Sequence, residues 1–248
     1  MGSVKDVRVR GFIETLNVEE AWRSFLENVS IGKMNVEEVN LTESLDRVLG
    51  SDVFSTTNIP FFDRAAMDGY AVKAKNTFGA SKTSPVILKI VGNVEAGKPS
   101  NLTVGEMEAV KVFTGAPLPK GADAVVMVEY TEVLGEDKLI VYSSVPAGAN
   151  VSKAGEDVKV GEKVLSRGTV LSPYDLSLLA ALGLKKVRVF CKPKVAVFSV
   201  GSELVEPKDG ETPSIGKIFD SNRYFLLSAI KKIGGEPVDL GIVSDDVE

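Results

Sequence analysis

Between residues 59 and 145 the chain never sustains a helical period. Short runs alternate apolar and polar residues, as in "VILKIVGNV", "EAVKVF" and "AVVMVEYTEVLGEDKLIVYSSV", and turn-forming residues close each one. A period of two with closely spaced turn signals confines this stretch to an all-β module, with a hairpin turning at 135–137. The flanks differ in texture. Residues 17–29 put Val18, Ala21, Trp22, Phe25, Leu26 and Val29 on one helical face, behind Asn17 as N-cap and Glu20 at the capping-box position. "TESLDRVLGSDV" predicts a second short helix, capped by Thr42 or Ser44, striped by Leu45, Val48 and Leu49, and ended by Gly50. Both helices are expected to serve packing. "SPYDLSLLAALG" predicts a third, with Pro173 in the first helical position and Gly183 just past the end.

After Cys191 the pattern changes again. "KVAVFSV" at 194–200 is a strand of the buried parallel kind. Asp220 or Ser221 then opens a helix with Phe225, Leu226, Ala229, Ile230 and Ile233 facing inward, and "PVDLGIVSDD" follows as the next strand. This βαβ unit starts a parallel sheet. The expected fold class is therefore α+β and multidomain. The all-β module at 59–145 is flanked by helical and turn-rich stretches at 1–58 and 146–190, and 191–248 form the first part of a doubly wound parallel α/β domain. One crossover cannot cover both faces of a parallel sheet, so the last domain is expected to be incomplete, and the chain a fragment or a truncated product.

Composition narrows the chemistry. The chain has no histidine and one cysteine, Cys191, which removes His-dependent triads, His general bases and the usual zinc sites. What remains is carboxylates, Lys and Arg, hydroxyls and backbone dipoles, a set suited to Mg²⁺ and phosphate-like oxyanions. A net charge of −5 without a concentrated basic face argues against nucleic acid as a partner. No apolar run approaches the ~20 residues that span a bilayer, and the N-terminus lacks a signal-peptide core, so a soluble cytoplasmic protein is expected.

In open parallel sheets ligands bind beyond the carboxyl ends of the strands. Those ends carry Gly201-Ser202-Glu203 and Ser244-Asp245-Asp246, which could hold Mg²⁺ beside a phosphate. The same residues also suit plain helix N-termini, where carboxylates are favoured by the macrodipole. In the β module, Asp68-Gly69 fits a turn and Asp63 fits a loop cap. Thr114-Gly115-Ala116 fits either an anion-binding nest or a strand-ending turn, and Asp157 lies in a turn-rich segment.

Together these stretches resemble the MoeA family of molybdopterin molybdenumtransferases, which includes the corresponding domain of gephyrin. "FFDRAAMDGYAV" and "FTGAPLPKGADAVVMVE" are similar to the family's two hallmark segments, and "AGEDV", "FSVGSEL", "IFDSNR" and "GIVSDD" extend the match in order. The resemblance implies insertion of molybdate or tungstate into adenylylated molybdopterin, with Mg²⁺ and release of AMP. It makes Asp68, Thr114, Asp157, Glu203 and Asp245 the catalytic candidates, Glu203 and Asp245 also the metal ligands, and Gly69, Gly115, Lys153, Gly201 and Ser202 ligand-binding. It further implies that 1–58 and 146–190 form one elongated, discontinuous domain into which the β module is inserted, a homodimer with a shared cleft, a third domain of the MogA kind, and molybdopterin adenylyltransferase as upstream partner. Departures are the single cation Lys153 before Gly-Glu-Asp and Val-Gly-Ser-Glu in place of Thr-Gly-Asp-Glu. A chain ending within the third domain is expected to be inactive alone, and a non-catalytic molybdopterin-binding or scaffold role is the alternative.

Overall fold

The structure is a computed structural model in which residues 16–29 and 32–244 are described. In chain order the elements are α1 (Val18–Asn28), β1 (Val36–Asn40), β2 (Val53–Phe54), β3 (Arg64–Ala65), β4 (Gly69–Val72), β5 (Val86–Val94), β6 (Glu108–Val112), β7 (Ala124–Met127), β8 (Thr131–Leu134), β9 (Lys138–Val141), β10 (Val151–Ser152), β11 (Lys163–Leu165), α2 (Pro173–Ala181), β12 (Lys186–Phe190), β13 (Lys194–Val200), β14 (Leu204–Val205), β15 (Ile218–Phe219), α3 (Asn222–Lys232) and β16 (Glu236–Val243). Helices are few and strands dominate. The described residues divide into two compact units: one is Val36–Phe190 with Lys232–Gly234, and the other holds Cys191–Lys231, 235–244 and the described residues before Val36.

The first unit is built on a six-stranded sheet in the order β7-β4-β6-β5-β9-β8, antiparallel except for the parallel β5/β6 pair. Its two outermost strands are joined by the single 3₁₀ turn Val128–Tyr130. A flat sheet would hold those strands roughly 24 Å apart, at about 4.8 Å per strand. The link reaches at most about 14 Å. The sheet must therefore curl until its edges approach each other. The expected hairpin is present, with Leu134 opposite Lys138 across the turn.

Period-two patterning buries both faces of the sheet. Tyr70, Val72, Leu88, Ala124, Val126 and Leu139 form one cluster. Ala71, Val110, Val112 and Val125 form the other, and it is covered by Ala65, Ala116 and the half-buried Val151. The loops that hold the candidate residues are thus the lid of the second cluster. Gly69 serves this packing, because a Cβ there would fall 2.0 Å from the carbonyl oxygen of Val126 on neighbouring β7.

A third cluster, Leu49, Leu171, Leu179, Val187 and Val189, joins the antiparallel β1/β12 pair to α2. Here one expectation fails. Residues 42–53 are not a helix: a single 3₁₀ turn at Leu41–Glu43 ends at Ser44, Asp46 adopts φ 60°, and the backbone runs on in extended bridges. Val48 pairs with Val170 and Leu49 with Val189. Tertiary pairing of Leu49, fully buried among the other two segments, outweighs a weak local helical preference. The expected α2 is present, with Ser172 as N-cap in a capping box with Asp175.

In the second unit β13 and β16 run parallel, from Lys194 opposite Glu236 to Val200 opposite Val243, and α3 lies between them in sequence. Helix α1 has the expected Asn17–Glu20 capping box. Its apolar residues are not buried, however: Trp22 and Phe25 stack on each other at 5.7 Å and both remain exposed. Among the described residues no helix is long and apolar enough to cross a membrane.

Leu49→Ala removes a fully buried side chain from the junction of three segments. It is expected to destabilise the first unit by about 2–5 kcal/mol, read as a lower urea midpoint with an unchanged m-value.

Candidate functional site

The segment 59–66 is zipped along its length to 150–158. Ile59 pairs with Val158, the Gly155 amide donates to the Pro60 carbonyl, Arg64–Ala65 pair with Ser152–Val151, and the Ala66 amide donates to the Asn150 carbonyl. Asp63 fastens the middle: Oδ1 accepts from the Ala154 amide and Oδ2 from Lys153 Nζ, each at 2.8 Å. These bonds, the amide first, hold its carboxyl below the usual range. Asp63 thus has the loop-shaping place its position suggested, and the Lys153 ammonium is paired with a protein carboxylate.

Asp68 lies just beyond the zipper. Its carbonyl accepts from the Val128 amide, and its Oδ1 accepts both the Thr114 amide and the Thr114 hydroxyl, each at 2.7 Å. The Thr114 amide, then its hydroxyl, keep the Asp68 carboxyl below its ordinary value, with help from Lys111. Asp68 is exposed, and no hydrogen bond to Oδ2 is formed among the described residues. Thr114 and Gly115 form the corner of a turn closed by the Ala116 amide on the Phe113 carbonyl. Gly115 has φ 82°, so the turn is of type II, which favours glycine at that corner.

This geometry decides one open question. The Thr114 amide is taken by Asp68, the Gly115 amide by the Ala65 carbonyl, and the Ala116 amide by Phe113. The loop is not a vacant nest for an external anion, because the Asp68 carboxylate and two backbone carbonyls already take its amides. Asp157 is exposed at the other end of the zipper, its amide on the Ile59 carbonyl, and no hydrogen bond links it to Asp68 or Thr114.

The remaining candidates belong to the second unit. Gly201, with φ 156°, ends β13, and Glu203 folds its carboxylate back over it: a Cβ on Gly201 would fall 2.7 Å from Glu203 Oε2. Lys217 Nζ donates to the Ser202 carbonyl at 2.5 Å, and the Ile218 amide donates to that of Glu203. Asp245, expected as the second metal ligand, lies outside the described residues. Among the described residues no group of three or more acidic, histidine or cysteine side chains could hold a metal ion. Glu203 alone suits only a cation completed by ligand oxygens and water, which is the habit of Mg²⁺.

The residues that sequence reasoning missed follow this loop. Arg223 is almost wholly buried and bonds three carboxylates: Asp220 at 3.0 Å, Asp239 at 2.5 Å, and Glu206. Asp239 first, then Asp220, push its pKa further up. For Asp220, burial pushes upward, but the Arg223 amide, the Ser199 hydroxyl and the guanidinium together bring it below its ordinary value. An aspartate three residues before an arginine at a helix start was the available signal in "IFDSNR".

The MoeA N-terminal region (domain I and II) family matches residues 16–183. Molybdopterin molybdenumtransferase of Haemophilus influenzae is 37% identical over 232 residues, 93% of this chain and 55% of that protein. The enzyme of the same name from Bacillus subtilis is 37% identical over 86% of this chain and 50% of its own length. The crystal structure of the molybdopterin biosynthesis MoeA protein from Pyrococcus horikoshii superposes with a TM-score of 0.85 at 42% identity, covering 92% of this chain and 60% of that one. The chain therefore belongs to the MoeA N-terminal region family. It spans about half the length of the curated relatives it matches.

Thr114→Val keeps the amide bond to Asp68 and removes the hydroxyl. The Asp68 carboxyl is expected to move up toward its ordinary value of 3.8, followed by NMR titration. The sign follows from the lowered value: the clip stabilises the fold above the ordinary pKa, and that contribution is lost as pH falls through the folded one. An unmoved Asp68 titration in the variant would assign the whole shift to the backbone.

Proposed function

We propose that this chain is part of an enzyme that inserts molybdate, or tungstate, into adenylylated molybdopterin with release of AMP. The observation that carries this is 37% identity to the Haemophilus transferase along 93% of the chain. The geometry of Asp68 supports it. Its Oδ1 is engaged by Thr114, so the ionised group is held in one orientation with Oδ2 turned to accept from a ligand. A pterin ring presents N–H donors, and a carboxylate is the acceptor that suits them. Thr114, with its hydroxyl committed to Asp68, positions that carboxylate. Asp157 would meet a different part of an extended ligand.

Glu203 and Asp245, with phosphate oxygens of the ligand, would hold Mg²⁺, which when bound offsets negative charge on the phosphoanhydride. Gly201 leaves room for the Glu203 carboxylate beside the backbone, and Ser202 offers a hydroxyl. The dithiolene of the pterin brings the sulfur donors for the metal, so a chain without histidine lacks nothing this reaction needs. The finer architecture belongs to the same proposal: an elongated domain from 1–58 and 146–190, an inserted β module at 59–145, and the beginning of a MogA-like α/β domain from 191. So does a cytoplasmic homodimer that shares its cleft between subunits and receives its substrate from the adenylyltransferase.

The complete gene product, given adenylylated molybdopterin, Mg²⁺ and molybdate, is expected to release AMP, and no release at any protein concentration removes the proposal. Asp68→Ala should lower turnover about 100-fold through lost ligand positioning, with only a small fall in Tm from the lost Thr114 bonds. Sedimentation of the gene product as a monomer at micromolar concentration would remove the shared cleft.

A further inference from the structure

The "IFDSNR" segment has no part in the reaction as described so far, yet it is the most heavily bonded polar feature of the second unit. We propose that Arg223 is a positioning residue that holds the Gly201–Glu203 loop at the end of β13, and so sets where Glu203 stands. This rests on the reading of Glu203 as a working residue in the proposed function.

The connections are specific. The loop leaves β13 at Gly201 and returns through β14, whose Leu204 and Val205 pair with Ile218 and Phe219 of β15. The Asp220 amide donates to the Val205 carbonyl, continuing that pairing by one residue. Immediately after β14, Glu206 accepts from Arg223 Nη2. The same guanidinium bonds Asp220 through Nε and Asp239 of β16 through Nη1. One planar group therefore ties the returning stem of the loop, through Glu206, to the helix start and to β16, the strand paired with β13. Glu203 makes no side-chain hydrogen bond of its own among the described residues, so its place is set by its backbone, which the Ile218 amide and the β14/β15 pairing hold.

An arginine is required for geometric reasons. Its planar fork presents five donors to separate acceptors, whereas a lysine is a point charge that cannot satisfy three carboxylates from different directions. Arg223 is buried and these acceptors are anionic, so the bonds belong to the stronger, charge-assisted class.

The test uses Arg223→Lys and Glu206→Ala. Glu206 is half exposed, so its removal unties one stem while Arg223 keeps Asp220 and Asp239. Hydrogen–deuterium exchange on this chain should show the amides of 202–206 exchanging about tenfold faster in both variants, while β4 and β6 of the other unit exchange as in the wild type. In the complete gene product, kcat for AMP release should fall about 10- to 100-fold with KM for molybdate little changed. Added guanidinium should restore part of the kcat of Arg223→Ala, which it would not do for a generally damaged fold. Wild-type loop exchange and wild-type kcat in Glu206→Ala overturn the proposal, even if Arg223→Lys does not fold. If the wild-type gene product releases no AMP, the proposed function fails, and exchange alone decides whether Arg223 holds the loop.

Discussion

The interaction on which the first unit depends is the zipper between 59–66 and 150–158. Its backbone pairs bring two distant stretches together, and Asp63 locks them by taking an amide and an ammonium at once. That lock fixes where the chain enters β4, and so where Asp68 stands. It also seals one face of the sheet, since Ala65 and Val151 lie over the cluster around Ala71, Val110 and Val125. Core and candidate site are thus two sides of the same loop, and the side chains that alternate along it divide the work between them.

The two units hold their polar groups differently. In the first, short loops satisfy carboxylates with backbone amides: Asp63 on Ala154, Asp68 on Thr114, Asp52 on Arg167. Amide donors are fixed by the fold and cost no side-chain entropy to orient. In the second, a buried guanidinium does the organising. Removing Arg223 would leave Asp220 as an uncompensated buried charge, whereas Glu206 and Asp239 are half exposed and can turn to water.

Much of the architecture was legible because it rests on local patterns. Alternation found the strands and the hairpin at 135–137, and Asn17, Glu20 and Pro173 found two helix starts, since these signals act within the first turn of a helix. The failures have the opposite cause. The stretch 42–53 has a helical stripe, yet Leu49 is claimed by Val189, far along the chain. Thr114 reads as the edge of an empty nest only while the position of Asp68 is unknown. Lys153 reads as a spare cation until Asp63 is brought beside it. In each case the competing partner is distant in sequence, and no local window contains it. Arg223 was missed for the same reason, as two of its three carboxylates lie 16 and 17 residues away. Gly69 was read as a ligand contact, whereas its first requirement is the carbonyl of Val126.

The span closed by Asp63 has a kinetic side. Its two bonds join residues 90 and 91 positions apart. Bringing such ends together carries a large entropic cost that only the finished pairing returns. The curled sheet between them must largely exist before the ends can meet, so the Asp63 lock closes after the strands it spans. Asp68, held by Val128 and Thr114 at the ends of neighbouring strands, takes its place with the sheet itself.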